Sequence, residues 1–320
     1  MHRYVITRLL SGVLTLVLVS LIIFAVMRVL PGDVARIVLA GLSDNPASVP
    51  QEQIDALRKQ LGLNDPLPKQ YFDWVWGLVR LDWGTSLRFN TPVLEEITQR
   101  LPVTIELATF TMLIAILVAV PLGVISAIRQ DTWIDYLARI ISIGGLAMPT
   151  FWSGTLVILV LSIGFHWLPP LAYADLVQDP LTNAQQVIWP VLALAYYFTA
   201  TVSRMTRSQM LEVLRQDYVR TAWAKGLPET LVVARHAIRN ALLPVVTVVG
   251  LQYAVLLGGT VIMEQIFSVP GIGRALVQAI SAKDFPLVQN IIVVFAAIII
   301  VINLAVDILY GYIDPRVHLR

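Results

Sequence analysis

Cysteine is absent from this 320-residue sequence, and charged residues make up only 14% of it. Without thiols, neither a disulfide framework nor thiolate metal ligation is available. The four histidines are scattered along the chain, which disfavours a histidine metal centre as well. A soluble domain carries about a quarter charged residues. The low charge, with 57% hydrophobic residues and a mean hydropathy of +0.74, therefore predicts a polytopic membrane protein without a metal site.

The sequence motifs of nucleotide and hydrolase chemistry are missing too. The glycine-rich stretch from Gly258 to Gly273 superficially resembles a phosphate-binding loop. That loop requires a Gly-Lys pair, and the chain contains none. His-Glu-x-x-His and Gly-x-Ser-x-Gly are also absent. We therefore expect a protein that is not an enzyme and that needs no cofactor.

Acidic residues are scarce inside the apolar runs of the chain. Ion-coupled carriers place such groups near the bilayer centre, where they are costly and functional. Here Glu106, Glu264 and Asp307 lie at or beyond the ends of the runs, where we expect their side chains to reach water. Glu106 follows Pro102 and Thr104, which predicts a first-turn acid at a helix N-terminus. This pattern disfavours a secondary carrier.

Six apolar runs are long enough, or nearly so, to cross a membrane. A hydrocarbon core about 30 Å thick takes roughly 20 helical residues. No cleavage motif follows the first run, so we interpret it as an uncleaved span. The prediction is an all-α polytopic protein with six transmembrane helices. The runs are Leu9–Met27, Leu107–Ile128, Ile140–Phe165, Val187–Ser203, Leu242–Met263 and Leu287–Val306.

Basic residues predict the orientation of these spans. The stretch Arg204–Arg239 contains seven lysines and arginines, whereas the connection Leu168–Ile188 contains none. Short loops rich in lysine and arginine stay on the cytoplasmic side. We therefore expect the Arg204–Arg239 stretch and both chain termini to face the cytoplasm.

One segment of this basic stretch has a helix stop and restart. Gly226 suits the left-handed residue that ends a helix, and Pro228 suits the first turn of the next one. The prediction is two short helices that meet at a glycine on the face of a membrane domain. We call Asp217–Leu231 the glycine elbow, and its shape indicates a docking surface.

The third apolar run contains a second candidate site. Gly144, Gly145, Met148 and Pro149 combine small residues with a helix breaker, which predicts a flexible pore wall or hinge. Close helix packing through small residues explains the two glycines equally well. Both interpretations stay open on the sequence alone.

The first long connection is predicted to carry short helices. Ser48 and Gln51 resemble a capping box, and Ile54, Leu57 and Leu61 recur at helical spacing. Gly62 is placed to end that helix. The aromatic stretch from Tyr71 to Trp76 fits either a membrane–water boundary or a surface that receives an external partner.

Four stretches outside the elbow complete a larger pattern. Their order and spacing resemble those of permease subunits of binding-protein-dependent ABC importers, in the dipeptide, oligopeptide and nickel branch. The basic stretch and the start of the fifth run add Tyr218–Ala222, Ala224-Lys225-Gly226, Arg235-His236-Ala237 and Leu243-Pro244 to the resemblance. The four stretches are Leu30-Pro31-Gly32-Asp33; Leu61-Gly62-Leu63-Asn64-Asp65-Pro66-Leu67 with Gly84-Thr85-Ser86; Glu264-Gln265-Ile266-Phe267-Ser268-Val269-Pro270-Gly271-Ile272-Gly273-Arg274; and Asp314-Pro315-Arg316.

The resemblance implies a type I importer transmembrane domain in the cytoplasmic (inner) membrane of a prokaryote. Residues 1–100 would form an N-terminal span with an extracytoplasmic loop, residues 101–313 the transmembrane core with a coupling segment at 204–241, and residues 314–320 a cytoplasmic tail. The residues that contact the ATPase would be Asp217, Tyr218, Arg220, Thr221, Ala222, Ala224, Lys225, Gly226, Leu227 and Pro228.

The resemblance also implies the partners and the solute. The partners are a second homologous permease, two ABC ATPase subunits, an extracytoplasmic solute-binding protein and the lipid bilayer, with no nucleic acid. The solute would be a dipeptide or oligopeptide, and nickel, glutathione or another small solute such as an oligosaccharide remains the alternative. An ion-coupled secondary carrier, a membrane enzyme and a non-conducting receptor are the alternatives of other classes.

Overall fold

The structure, a computed structural model, describes residues 2–29, 35–36, 39, 50–60 and 62–313. Most of these residues are helical. The helices are α1 (His2–Val29), α2 (Gln51–Gln60), α3 (Leu67–Arg80), α4 (Val93–Ile128), α5 (Trp133–Ala147), α6 (Thr150–Leu159, followed by a π-helical turn Val160–Gly164), α7 (Pro180–Leu214), α8 (Asp217–Ala224), α9 (Glu229–Leu231, followed by a π-helical stretch Val232–Ala237), α10 (Ile238–Ile266), α11 (Ile272–Ser281) and α12 (Phe285–Ile313).

Five helices in the described part of the chain are long and apolar enough to cross a membrane. A sixth span is present if the bent pair α5 and α6 counts as one. These six elements coincide with the six apolar runs, so the predicted all-helical membrane fold is confirmed. Two helices extend well past their runs: α4 begins at Val93 and α7 ends at Leu214.

The chain divides into two compact units, and most of the first is the stretch Val103–Gly273. Its central helix is α7, which packs on α5, α6 and α10. Ala119, Val202 and Val245 form one buried cluster between α4, α7 and α10. Helix α7 begins after Asp179, whose carboxylate accepts the Thr182 N–H at 3.1 Å; this hydrogen bond lowers the pKa of Asp179.

The second unit combines Ile6–Pro102 with Arg274–Ile300. The aromatic stretch of α3 is divided between two environments here. Tyr71 hydrogen-bonds Ser20 at 2.8 Å, and the ring of Trp74 stacks on that of Phe24 with centroids 6.2 Å apart. Phe72 and Trp76 are exposed, so one side of α3 packs on α1 and the other is unpaired within this unit.

Several predicted features lie outside the described residues: Ser48, Leu61, the side chain of Leu57, Leu30-Pro31-Gly32-Asp33 and Asp314-Pro315-Arg316. The described remainder of the first loop agrees with the prediction. Ile54 on α2 is buried, and Gly62 has a φ of +64°. The N–H of Leu63 donates to the carbonyl of Arg58 at 2.9 Å, so Gly62 ends the helix as predicted.

Two predictions about acidic residues differ from the structure: Glu106 does not lie in a first helical turn, and Glu264, near the end of α10, does not reach water. Glu106 is well inside α4, because that helix begins at Val93, and its carboxylate accepts the hydroxyl hydrogen of Tyr173 at 2.6 Å. Glu264 is completely buried and accepts a hydrogen bond from Thr104 at 2.6 Å. The apolar runs gave no sign of either tertiary partner, and these partners replace water.

Candidate functional site

The glycine elbow begins where α7 ends. Helix α7 continues beyond its apolar run to Leu214, and Gln216 has an extended backbone that starts α8 at Asp217. Val219 and Ala222 on α8 are buried against Val232, and Val213, Leu214 and Leu227 pack around them. The inner face of the elbow is therefore fixed to the end of α7 and to the beginning of the next long helix.

Gly226 closes α8 with a Schellman motif. Its φ is +78°, its N–H donates to the carbonyl of Trp223 at 2.9 Å, and the Leu227 N–H donates to the carbonyl of Ala222 at 3.4 Å. These two bonds satisfy carbonyls that the helix end would leave unpaired, and glycine adopts this φ without steric cost. The prediction that Gly226 ends a helix in a left-handed conformation is confirmed.

The second arm of the elbow differs from the prediction. Pro228 caps this arm and lies one position before its first turn, with ψ of 144°, and its carbonyl accepts the N–H of Val232 at 3.1 Å. The helix then runs unbroken from Glu229 to Ile266, through the π-helical stretch and past Pro244. The prediction of a second short helix is wrong, because no residue between Leu231 and Pro244 ends the helix. The elbow therefore joins one short helix directly to a membrane span.

A polar tie links the two arms of the elbow. The amide of Asn240 donates to the hydroxyl of Tyr218 at 2.8 Å and to the carbonyl of His236 at 3.0 Å. Asn240 follows the π-helical stretch, so α8 is held against the start of α10 by a side chain as well as by apolar packing. The two contacts together make the elbow a single stiff unit.

The outer face of the elbow is exposed and carries charge. Asp217 and Arg220 form a solvated ion pair at 3.5 Å, which adds little stability. A Cβ at Gly226 would meet no atom within 4 Å, so its surroundings are open. The other exposed residues of this face are Tyr218, Thr221, Trp223, Ala224, Lys225, Pro228 and Glu229. Such a face can receive a partner without rearranging its own core.

The second candidate site is a sharp break between α5 and α6. The two helices meet at 100°, and Met148 and Pro149 both have extended backbones there. Proline has no N–H for an α-helical bond and disfavours helical geometry in the residue before it. A role of this break as hinge or pore wall stays a prediction.

The two glycines before the break lie in close helix contacts. A Cβ at Gly145 would lie 2.9 Å from that of Ala200 and 3.0 Å from the carbonyl oxygen of Tyr196. A Cβ at Gly144 would lie 2.8 Å from the Tyr196 hydroxyl, which donates to the carbonyl of Ile141 at 3.0 Å. The glycines thus bring α5 against α7, and the bend itself lies at Met148 and Pro149.

A buried ion pair was missed by sequence reasoning. Asp135 has no exposed surface, and Arg207 donates to both of its oxygens, at 2.8 and 2.7 Å. Ser126 and the backbone N–H of Asp131 donate to the same carboxylate. The pair joins α5 to α7 and, through Ser126, to α4. Arg207 was counted only as a topology signal, and no motif connects it with Asp135 across the intervening chain.

Comparisons with known families agree with this architecture. Residues 119–319 match the model of the binding-protein-dependent transport system inner membrane component. Residues 1–108 match the N-terminal region model of binding-protein-dependent transport system membrane components. The two matches together include every described helix, except that residues 109–118 of α4 lie between them.

Three relatives of known name match nearly the whole chain. The dipeptide transport system permease protein DppB of Alkalihalophilus pseudofirmus is 40% identical over 338 residues, which cover 99% of each chain. A Brucella suis biovar 1 protein, named provisionally as a peptide transport system permease, is 39% identical over 99% of each chain. The glutathione transport system permease protein GsiC of Escherichia coli K12 is 38% identical over the whole of both chains. This chain thus belongs to the family of binding-protein-dependent transport system inner membrane components and is the multi-pass permease subunit of an ABC importer.

Proposed function

We propose that this permease forms, with a second homologous permease, the translocation path for dipeptides and oligopeptides, and that two separate ATPase subunits drive it through the glycine elbow. The observation that carries the proposal is the elbow's construction. Its outer face is exposed, while Val219, Ala222 and Val232 fix its inner face to two long helices. A force applied to the outer face is therefore delivered to α7 and α10.

The elbow meets the mechanical requirement for coupling between distant sites. Such coupling needs a stiff element whose position both sites can bias. The Schellman motif at Gly226 and the tie between Tyr218 and Asn240 supply this stiffness. Closure of an ATPase pair would pull the elbow and swing the attached spans between inward-facing and outward-facing states. The break at Met148 and Pro149 is the proposed hinge and pore-wall element.

The proposed orientation places the elbow and both termini in the cytoplasm. The seven basic residues of Arg204–Arg239 and the absence of any in Leu168–Ile188 support this orientation. We further propose the functional division at about residue 100, with the core at 101–313, the N-terminal span and loop at 1–100 and a cytoplasmic tail at 314–320. A solute-binding protein would deliver the solute from the opposite side.

The names of the relatives support a peptide solute. They are permeases for peptides, dipeptides and glutathione, and glutathione is itself a small peptide. Competition between labelled dipeptide, glutathione and nickel for uptake by the intact importer separates these solutes. Uptake that only nickel or an oligosaccharide inhibits would contradict the peptide assignment.

Gly226→Leu tests the coupling role. Leucine at a φ of +78° strains the elbow and projects a bulky side chain from its outer face. We expect membrane insertion to persist, while ATPase co-purification and ATP-dependent uptake fall by roughly tenfold, about 1.4 kcal/mol of coupling. The measurement is peptide uptake together with recovery of the ATPase subunits on the affinity-purified permease.

Gly84→Leu is the matched control for this variant. Gly84 has a φ of +75° and open space around its Cβ position, but it lies in the second compact unit. Leucine at this position imposes the same backbone strain away from the elbow, so recovery of the ATPase subunits should equal that of the wild type. Full uptake and normal ATPase recovery for Gly226→Leu would refute the coupling role. Uptake that a proton or sodium gradient drives without the ATPase subunits would support a secondary carrier.

A further inference from the structure

A cavity of about 780 Å³ lies between α4, α5 and α7. Its walls combine two kinds of surface. Leu122, Ile143 and Leu146 contribute apolar side chains, and four arginines with one glutamate contribute charge. A cavity lined in this way suits a ligand that has both a charged and an apolar part.

Two of the four arginines are already engaged. Arg207 holds the buried carboxylate of Asp135, and Arg139 lies 3.7 Å from the same carboxylate, with its guanidinium over the ring of Tyr136. Arg204 and Arg215 are exposed, and neither has an ion-pair partner among the residues that the structure describes. The cavity therefore has two guanidinium groups without an ion pair in the described ranges, beside the single carboxylate of Glu212.

The charged end of the cavity lies where α7 leaves the apolar run. That run ends at Ser203, and Arg204 follows it directly. The hydroxyl oxygens of Ser203 and of Ser142 on α5 are 3.0 Å apart. Ile143 and Leu146 follow Ser142 along α5. Arg204 consequently lies at the level of lipid headgroups, and the apolar wall extends from it along α5 toward the hydrocarbon. Arg215 lies about 16 Å further along α7.

We infer that this cavity binds an anionic phospholipid. Guanidinium groups bind phosphate through paired charge-assisted hydrogen bonds, and basic pockets between transmembrane helices accept anionic headgroups. The phosphodiester contacts Arg204, while the first part of an acyl chain packs on Ile143 and Leu146. Arg215, about 16 Å further along α7, adds positive charge at the polar end of the cavity. The site goes beyond the coupling role of the elbow and does not depend on it. A free phosphate shares the headgroup chemistry but leaves the apolar wall unused.

The decisive variant is Arg204→Gln with Arg215→Gln, made in the complete importer with its second permease and ATPases. The matched control is Arg129→Gln with Arg239→Gln, two exposed basic residues that do not line the cavity. Each importer is reconstituted in phosphatidylcholine nanodiscs that contain phosphatidylglycerol, extracted and washed, and its retained lipid is measured by mass spectrometry. Phosphatidylglycerol retention should fall roughly tenfold in the cavity variant, about 1.4 kcal/mol of affinity, and stay unchanged in the control.

Three results would overturn the inference: equal retention in both variants, retention of phosphatidylcholine in place of phosphatidylglycerol, or displacement of the lipid by inorganic phosphate. If the cavity variant fails to assemble, the wild-type importer is instead crosslinked with a photoactivatable phosphatidylglycerol. Crosslinks to peptides from 139–146 or 203–215 support the site. Absence of these crosslinks, as when a partner subunit fills the cavity, refutes it.

Discussion

At the scale of single residues, Glu264 shows how closely this fold surrounds a buried carboxylate. Thr104 donates to the carboxylate and in turn accepts the N–H of Ile272 at 2.9 Å. A Cβ at Gly271 would overlap the three carboxyl atoms of Glu264, and this side chain is completely buried. Glycine at 271 is thus required by the space that the carboxylate occupies.

Gly271→Ala should therefore destabilise the protein. The added methyl group overlaps the Glu264 carboxylate, and forced overpacking of this kind costs about 1–3 kcal/mol. Thermal unfolding of the purified importer in detergent measures the effect. Gly258→Ala is the matched control, because Gly258 lies in α10 and a Cβ there meets nothing within 4 Å. That variant should equal or exceed the wild type in stability. Equal melting temperatures for the wild type and Gly271→Ala would contradict the steric argument.

Residues whose role depends on local backbone geometry were predictable from sequence. Gly62 and Gly226 both end helices through a positive φ, and that requirement is evident from glycine type and position. Glu264, Glu106 and Asp135 were not predictable in this way. Their hydrogen-bond partners lie on other helices, and their burial follows from packing that no local pattern contains.

At the scale of elements, the connection between α6 and α7 is anchored by polar side chains of α7 and by one tyrosine. Gln186 donates to the carbonyl of Pro170 at 2.9 Å and accepts the N–H of Ala174 at 3.0 Å. Tyr173 donates to Glu106 on α4. Burial, and then this hydrogen bond, raise the pKa of Tyr173. The connection is therefore attached to two spans.

Tyr173→Phe should release the connection from α4. The variant keeps the ring but leaves the partly buried carboxylate of Glu106 without its hydroxyl donor, and a lost bond to a charged group costs about 1.5–3 kcal/mol. Hydrogen exchange of residues 165–179 in the purified importer should become faster. Unchanged exchange would show that Gln186 and Asn183 hold the connection without the tyrosine.

The pH dependence of this tie has a defined sign. A phenol with a raised pKa stays protonated in the folded protein while the unfolded chain ionises, so the stabilisation is complete below the ordinary tyrosine pKa of about 10 and declines above it. Wild-type protection of the connection by this tie should persist to about that pH, whereas the faster exchange of Tyr173→Phe should not depend on the titration of residue 173.

The number and type of the elements followed from hydropathy, but their joints did not. Apolar runs long enough to span a membrane identified the five long helices and the bent pair α5 and α6, because a hydrocarbon environment permits few other structures. The break at Met148 and Pro149 was predicted as a flexible pore wall or hinge, but its angle of 100° was not. The second arm of the elbow was predicted to be short, since sequence alone does not show that α9 continues into α10.

At the scale of the whole molecule, the membrane topology is open to a direct test. The sequence contains no cysteine, so a single introduced thiol is unambiguous. Val177, in the connection between α6 and α7, is 89% exposed, and Thr230 in the elbow is also exposed. These two positions report opposite faces of the proposed arrangement.

In intact cells, a membrane-impermeant maleimide should label Val177→Cys but not Thr230→Cys. Thr230→Cys should react only after the membrane is permeabilised, because the proposed orientation puts the elbow in the cytoplasm. Labelled protein is measured on a gel with a fluorescent maleimide, and the cysteine-free wild type gives the background. Labelling of Thr230→Cys in intact cells would show the opposite orientation, in which no cytoplasmic ATPase could reach the elbow.

The unbroken helix from Glu229 to Ile266 has 38 residues, which corresponds to a rod about 57 Å long at 1.5 Å per residue. A tilt of only about 1° around the elbow end would carry the opposite end through about 1 Å. That opposite end holds Glu264 in its tight enclosure. Small angular errors on one side of the bilayer would thus become atomic-scale misfits on the other. Under the proposed coupling through the elbow, compounds that wedge beside Glu264 should therefore slow the ATP turnover of the importer, measured as phosphate release.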